Sequence, residues 1–186
     1  MLWLPINSAL DSVPLFTAAV CMVIFTTIAA VDGLYYHLYK YRLHERPQSR
    51  LEHQLHTANV VLFVPQVFLL FWMQPHGLWL WLALATFLCS LVVEFFDVLC
   101  EPASRRDLGG LTGLEYLLHF MMAGLRFGAV VPLFVTAPTA DWVLSATALG
   151  PRPLWFLLVG VYIGVPAIGI AALHVRLLTR HPVPRI

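Results

Sequence analysis

The chain has 186 residues, of which 60% are hydrophobic and 11% charged, about half the charged share of an average soluble domain. Its net charge of +1 gives no overall basic field for nucleic acid. Composition therefore excludes an ordinary soluble domain and a nucleic-acid binder, and points to a bilayer.

A membrane span needs about 20 mostly apolar residues. Five stretches qualify, 13–36, 57–73, 78–100, 114–135 and 153–173. The segment before the first, "MLWLPINSALDS", reads as lying along the outer interface, with Trp3 and Leu4 as anchors. It has no basic residue, so it lacks the charged start of a cleavable signal peptide, and the first span is expected to stay. That span closes on "VDGLYYH", which brings Asp32 and His37 to its end.

The second span opens with "SRLEHQLH" and the fourth with "TGLEYLLH", sharing the pattern [ST]-x-L-E-x-x-L-H. Glu52 thereby matches Glu115, and His56 matches His119. "QPHG", with His76 as a loop residue, is turn-like and makes the second and third spans antiparallel neighbours. The third span ends on "VEFFDVLC", so that Glu94 answers Asp32, with Asp97 and Glu101 further along. Phe71, Trp72, Trp79 and Trp81 read as an outer aromatic belt. The connection after the fourth span contains "DWVLSATAL", read as a short interfacial helix anchored by Trp142, and the tail "TRHPVPRI" reads as irregular.

Basic residues follow the odd spans: Lys40, Arg42, Arg46 and Arg50, then Arg105 and Arg106, then Arg176, Arg180 and Arg185. Only Arg152 lies in a connection of the other parity. The positive-inside rule then places the N-terminus outside and the C-terminus in the cytoplasm. Cys21, Cys89 and Cys100 fall in or at the end of spans and read as small buried apolar residues, not a disulfide framework. The expectation is an all-α integral membrane protein of a bacterial inner membrane, one membrane domain over 1–186. Two repeated hairpins, 13–73 and 78–135, would form an antiparallel four-helix core, and the fifth helix would pack outside it.

Residues four apart share a helix face, so each Glu–His pair points one way. A capping box from Ser49 to Glu52 and from Thr112 to Glu115 explains either Glu alone. It does not explain His56 and His119 one turn deeper, nor Asp32 and Glu94 on the other spans. Ionisable groups in spans cost about 2.5–3.5 kcal/mol each on insertion scales, and a cluster of them is a functional candidate.

Di-iron and di-manganese bundles take a Glu from each of two helices and a Glu-x-x-His pair from each of the other two. The layout here is similar, with E-x-x-x-H spacing and Asp32 for one Glu. The expected ligands are Asp32, Glu52, His56, Glu94, Glu115 and His119, holding two iron ions in preference to manganese. His37, His53, Asp97 and Glu101 are candidates for further ligation or for holding the ligands, whereas His44, Glu45 and Asp107 read as solvated and His174 as interfacial. Arg126, deep in the fourth span with no acid expected at its depth, would either snorkel toward Thr26, Thr27, Ser90 or backbone carbonyls, the reading preferred, or contact a lipid or quinone substrate.

These residues predict a membrane metalloenzyme that oxidises a lipid-soluble substrate, with a redox partner protein supplying electrons. The rivals are a haem-binding or quinone-linked electron-transfer subunit using His56 and His119 as axial ligands, a metal or proton transporter, and a non-catalytic assembly subunit.

Overall fold

The computed structural model describes residues 6–180, with side chains from Val13 onward. The anchors expected at Trp3 and Leu4, and most of the tail, lie outside the described residues. Five helices carry the fold: α1 (Ile6–Ala30), α2 (Arg50–Val67), α3 (Leu78–Ser104), α4 (Gly113–Val135) and α5 (Leu154–Arg180). Each belongs to a segment long and apolar enough to cross a membrane, and the chain has the character of a helical membrane protein. Large apolar side chains cover its outside, among them Phe16, Phe95, Phe96, Phe120 and Leu154, as lipid contact requires.

Two helices change winding near their ends. α1 runs on as a π-helix over Val31–Lys40, and α2 as a π-helix over Phe68–Trp72. The helical segment before the first loop thus extends past the expected residue 36. The next helix starts at Arg50, earlier than the apolar run beginning at 57, because the charged first turns are held by the bundle.

Helix neighbours are α1 with α4, and α2 with α3, while α5 packs on α2 and also reaches α1. The antiparallel α2–α3 pairing is as expected. Within the two expected hairpins the backbones approach less closely, and contact is made through side chains such as Phe25 with Phe63 and Phe87 with Phe127. The placement of the fifth helix outside the core is corrected. Phe156, Ile163 and His174 of α5 are fully buried, and Phe71 stacks on Phe156 at 5.1 Å. Phe71 is therefore a core residue and not part of a belt, whereas Trp79 and Trp81 stay exposed.

Small residues allow this approach, as they do at helix contacts in bilayers where apolar burial gives no drive. A Cβ on Gly160 would lie 2.6 Å from Trp72 Cδ1 and 2.9 Å from the Phe71 carbonyl oxygen, and one on Gly164 would lie 2.8 Å from Trp72 Cζ2.

At the same end, the connection expected as a turn is strand β1 (Met73–His76), paired antiparallel with β2 (Ala148–Pro151). The residues expected as an interfacial helix form short 3₁₀ turns, Thr139–Trp142 and Leu144–Ala146, that lead into β2. His76 Nδ1 lies 3.0 Å from Asp141 Oδ1. Arg152 donates from Nε to the Met73 carbonyl (3.0 Å), and its burial draws the guanidinium down to about 10. This strand end holds the apolar core, built from residues such as Met22, Leu70, Phe87 and Val130. The opposite end holds the ionisable residues, and is called the polar end below.

Gly160→Ala should destabilise the protein by about 1–3 kcal/mol through overpacking against Trp72. Gly169→Ala, on a face where an added Cβ meets nothing within 4 Å, should be neutral or slightly stabilising through helix propensity. Thermal unfolding of both variants in detergent checks the contrast.

Candidate metal centre

At the polar end, Asp32 and His37 come from the π-helical end of α1, and His119 from the second turn of α4. In an α-helix, residues five apart diverge by about 140° around the axis. Winding with i→i+5 hydrogen bonds brings them much closer around the axis, and His37 Nε2 reaches 3.2 Å from Asp32 Oδ2. His119 Nε2 approaches the same oxygen at 3.5 Å. One ligand-type atom from each of Asp32, His37 and His119 lies within 4.8 Å of the others.

The two separations from Asp32 Oδ2, 3.2 and 3.5 Å, are of the size a shared metal would need. Ligand atoms about 2.1 Å from one ion are about 3.0–3.4 Å apart in octahedral or tetrahedral geometry. Asp32 is 1% and His37 4% exposed. Asp32 Oδ1 and His37 Nε2 have no hydrogen-bond partner among the described residues, the close His37–Asp32 approach being out of line for one. His119 Nδ1 lies 3.1 Å from Glu101 Oε1. A proton held there leaves Nε2 free as a ligand, the carboxylate–histidine support common beneath metals. Two imidazoles and one carboxylate are the protein ligands that non-haem Fe(II) oxygenases use.

The other expected ligands are placed differently. Glu52 and Glu115 flank Arg105, which is itself 1% exposed. Arg105 Nη2 donates to Glu52 Oε1 (2.9 Å), and Nη1 lies 3.7 Å from Glu115 Oε1, an ion pair too long for a hydrogen bond. Tyr41 donates from its hydroxyl to Glu115 Oε2 (3.0 Å), and its ring lies 4.8 Å from the Arg105 guanidinium. Thr112 and Glu115 form the expected capping box. Ser49 does not cap α2, and its hydroxyl donates to the Ser104 carbonyl (3.2 Å).

Glu94 lies about three helical turns deeper than Arg105 and pairs with Arg126, its Oε2 3.1 Å from Nη1. This corrects the expectation that Arg126 has no acid at its depth. Asp97, three residues after Glu94, has Oδ2 3.8 Å from His56 Nδ1. His56 packs against His37 with ring centroids 4.6 Å apart. His53 stacks on His174 at 5.1 Å, and His174 also lies 5.3 Å from His56. His174 is thus fully buried, not interfacial.

A cavity of about 390 Å³ joins these groups, within the range of small-molecule sites, about 300–1,000 Å³. Asp32, His37, His56, Asp97, Glu101 and His119 line one part of it, and Asn59, Glu94 and Arg126 another. Phe25, Val60, Phe63 and Ala123 supply apolar wall. Val98 of α3 and Tyr116 and Phe120 of α4 both line the cavity and are exposed. The α3 and α4 backbones stand further apart than those of α1 and α4 or of α2 and α3, so these exposed residues border the cavity beside the side-chain contacts Glu94–Arg126 and Glu101–His119.

Arg105, Asn59 and Gln66 are the residues that reading the sequence missed, whereas Ser90 does meet Arg126 as one of its expected partners. Arg105 looked like one topogenic charge among several. A signal did exist for the others: Asn59 and Gln66 are seven apart in the apolar later half of α2, and Ser90 and Glu94 four apart on α3, each pair on one helix face. No known family model, curated protein or solved structure matches the chain.

Arg105→Met should destabilise the protein by about 3–5 kcal/mol, since it leaves two buried carboxylates without their cation. Adding Glu52→Leu should recover part of that loss. Unfolding in detergent measures both, and a neutral Arg105→Met would show that the triad does not hold the polar end.

Proposed function

We propose that the chain is a membrane-embedded metalloenzyme that oxidises a lipid-soluble substrate at a non-haem iron site formed by Asp32, His37 and His119. The observation that carries this reading is a two-histidine, one-carboxylate cluster, with Asp32 and His37 buried, on the wall of a largely apolar cavity bordered by exposed residues of α3 and α4. Asp32 would supply the anionic ligand and His37 and His119 the neutral ones, while Glu101 holds the His119 ring in the ligating tautomer. Bound iron supplies oxygen activation. The chain's own residues orient the substrate between apolar walls and keep bulk water from the reacting carbon.

The site is one ion in this reading, not two. Glu52 and Glu115 are engaged by Arg105, and Glu94 by Arg126, so three members of the dinuclear ligand set have other cations as partners. His56 and Asp97 stand beside the site and would shuttle protons or hold a water.

The distribution of basic residues supports a topology with the N-terminus outside and the polar end at the cytoplasmic face of a bacterial inner membrane. Electrons would then come from a soluble cytoplasmic donor, and substrate from the bilayer between α3 and α4.

Elemental analysis after iron-replete expression should find about one equivalent of iron. Asp32→Ala and His119→Ala should lose it, and Glu52→Gln and Glu94→Gln should keep it. Two equivalents lost in Glu52→Gln would restore the dinuclear reading. Zinc alone at one equivalent would replace oxidation by hydrolysis, a Soret band would favour haem, and no bound metal would overturn the proposal.

A further inference from the structure

Asn59, Glu94 and Arg126 form a second polar pole of the cavity, away from the Asp32 cluster. A guanidinium carries five N–H donors. Arg126 uses Nη1 toward Asn59 Oδ1 (3.2 Å) and Glu94 Oε2 (3.1 Å). It uses Nη2 toward Gln66 Oε1 (3.2 Å) and the Ser90 hydroxyl. The fifth donor, on Nε, is buried and has no hydrogen-bond partner among the described residues.

Charge at this pole is already matched, one guanidinium to one carboxylate. A lipid carboxylate arriving there would meet Glu94 at close range in a low dielectric, where like charges repel strongly. A neutral acceptor meets no such repulsion and finds one unused donor, Arg126 Nε, on a guanidinium held in place by side chains of α2 and α3. A plain hydrocarbon would leave the polar groups of the pole unused. The walls beyond the pole, including Phe25, Val60 and Phe63, suit an aliphatic chain.

We propose that the cavity binds a neutral lipid whose head carries a carbonyl oxygen, seated at the Asn59–Glu94–Arg126 pole. This names the substrate class of the proposed enzyme and rests on that reading for the chemistry alone. The seat itself does not require the metal.

The test is equilibrium binding to the full chain in nanodiscs, by native mass spectrometry or intrinsic tryptophan fluorescence, both as purified and after chelation of metal. The probes are methyl myristate, ionised myristate and a hydrocarbon of matched length. Wild type should bind the ester about tenfold more tightly than either other probe, the scale of one net hydrogen bond. Glu94→Gln, which leaves the Arg126 charge unmatched, should reverse the order of ester and acid. Wild-type preference for myristate, equal binding of ester and hydrocarbon, or an unchanged order in Glu94→Gln would each overturn the assignment. If that variant does not fold, the wild-type comparison decides. Chelated protein that keeps the ester preference supports the seat whatever becomes of the iron reading. Iron bound without an ester preference overturns the seat and leaves the iron reading standing.

Discussion

Arg105 sits between Glu52 and Glu115 at the polar end, and the disposition of the remaining acids follows from that buried contact. Two carboxylates on helices that hardly otherwise meet are drawn to one guanidinium, which ties α2 and α4 to the end of α3. Arg126 does the same a few turns deeper, joining α4 to Glu94 and Ser90 of α3 and to Asn59 and Gln66 of α2. Buried ion pairs of this kind are costly to break from one side, so these two arginines fix the spacing of helices between which apolar packing gives little drive. What they leave over is a cluster of Asp32, Asp97 and Glu101 facing His37, His56 and His119.

The winding of α1 decides which of those groups converge. Ten residues of π-helix, Val31–Lys40, bring His37 onto the face of Asp32, and π-helical insertions are often found at functional sites. A continuous α-helix would turn His37 away and leave a single carboxylate facing His119. Backbone geometry therefore separates a two-histidine site from a simple ion pair.

Much of the architecture was legible in the residues, because apolar runs of about 20 residues report spans directly. The polar end was also legible, since Glu52, His56, Glu115 and His119 repeat at equal spacing. Their partners were not. Spacing along one helix shows which residues share a face, but not which neighbouring helix that face meets. Glu94 and Asp97 are three residues apart, and only the register of α3 against α2 and α4 sends the first to Arg126 and the second toward His56. The role of α5 was hidden for a related reason: Gly160 and Gly164 leave no trace in hydropathy, yet they let Trp72 approach the α5 backbone.

The central claim is that Asp32, His37 and His119 bind one metal ion. Anomalous diffraction at the iron edge, from crystals of the iron-loaded protein, tests it most directly. The account predicts one peak about 2.0–2.2 Å from the ligand atoms of those three residues, the distance of protein N and O donors. A peak between Glu52 and Glu115, or no peak at the polar end, would contradict it.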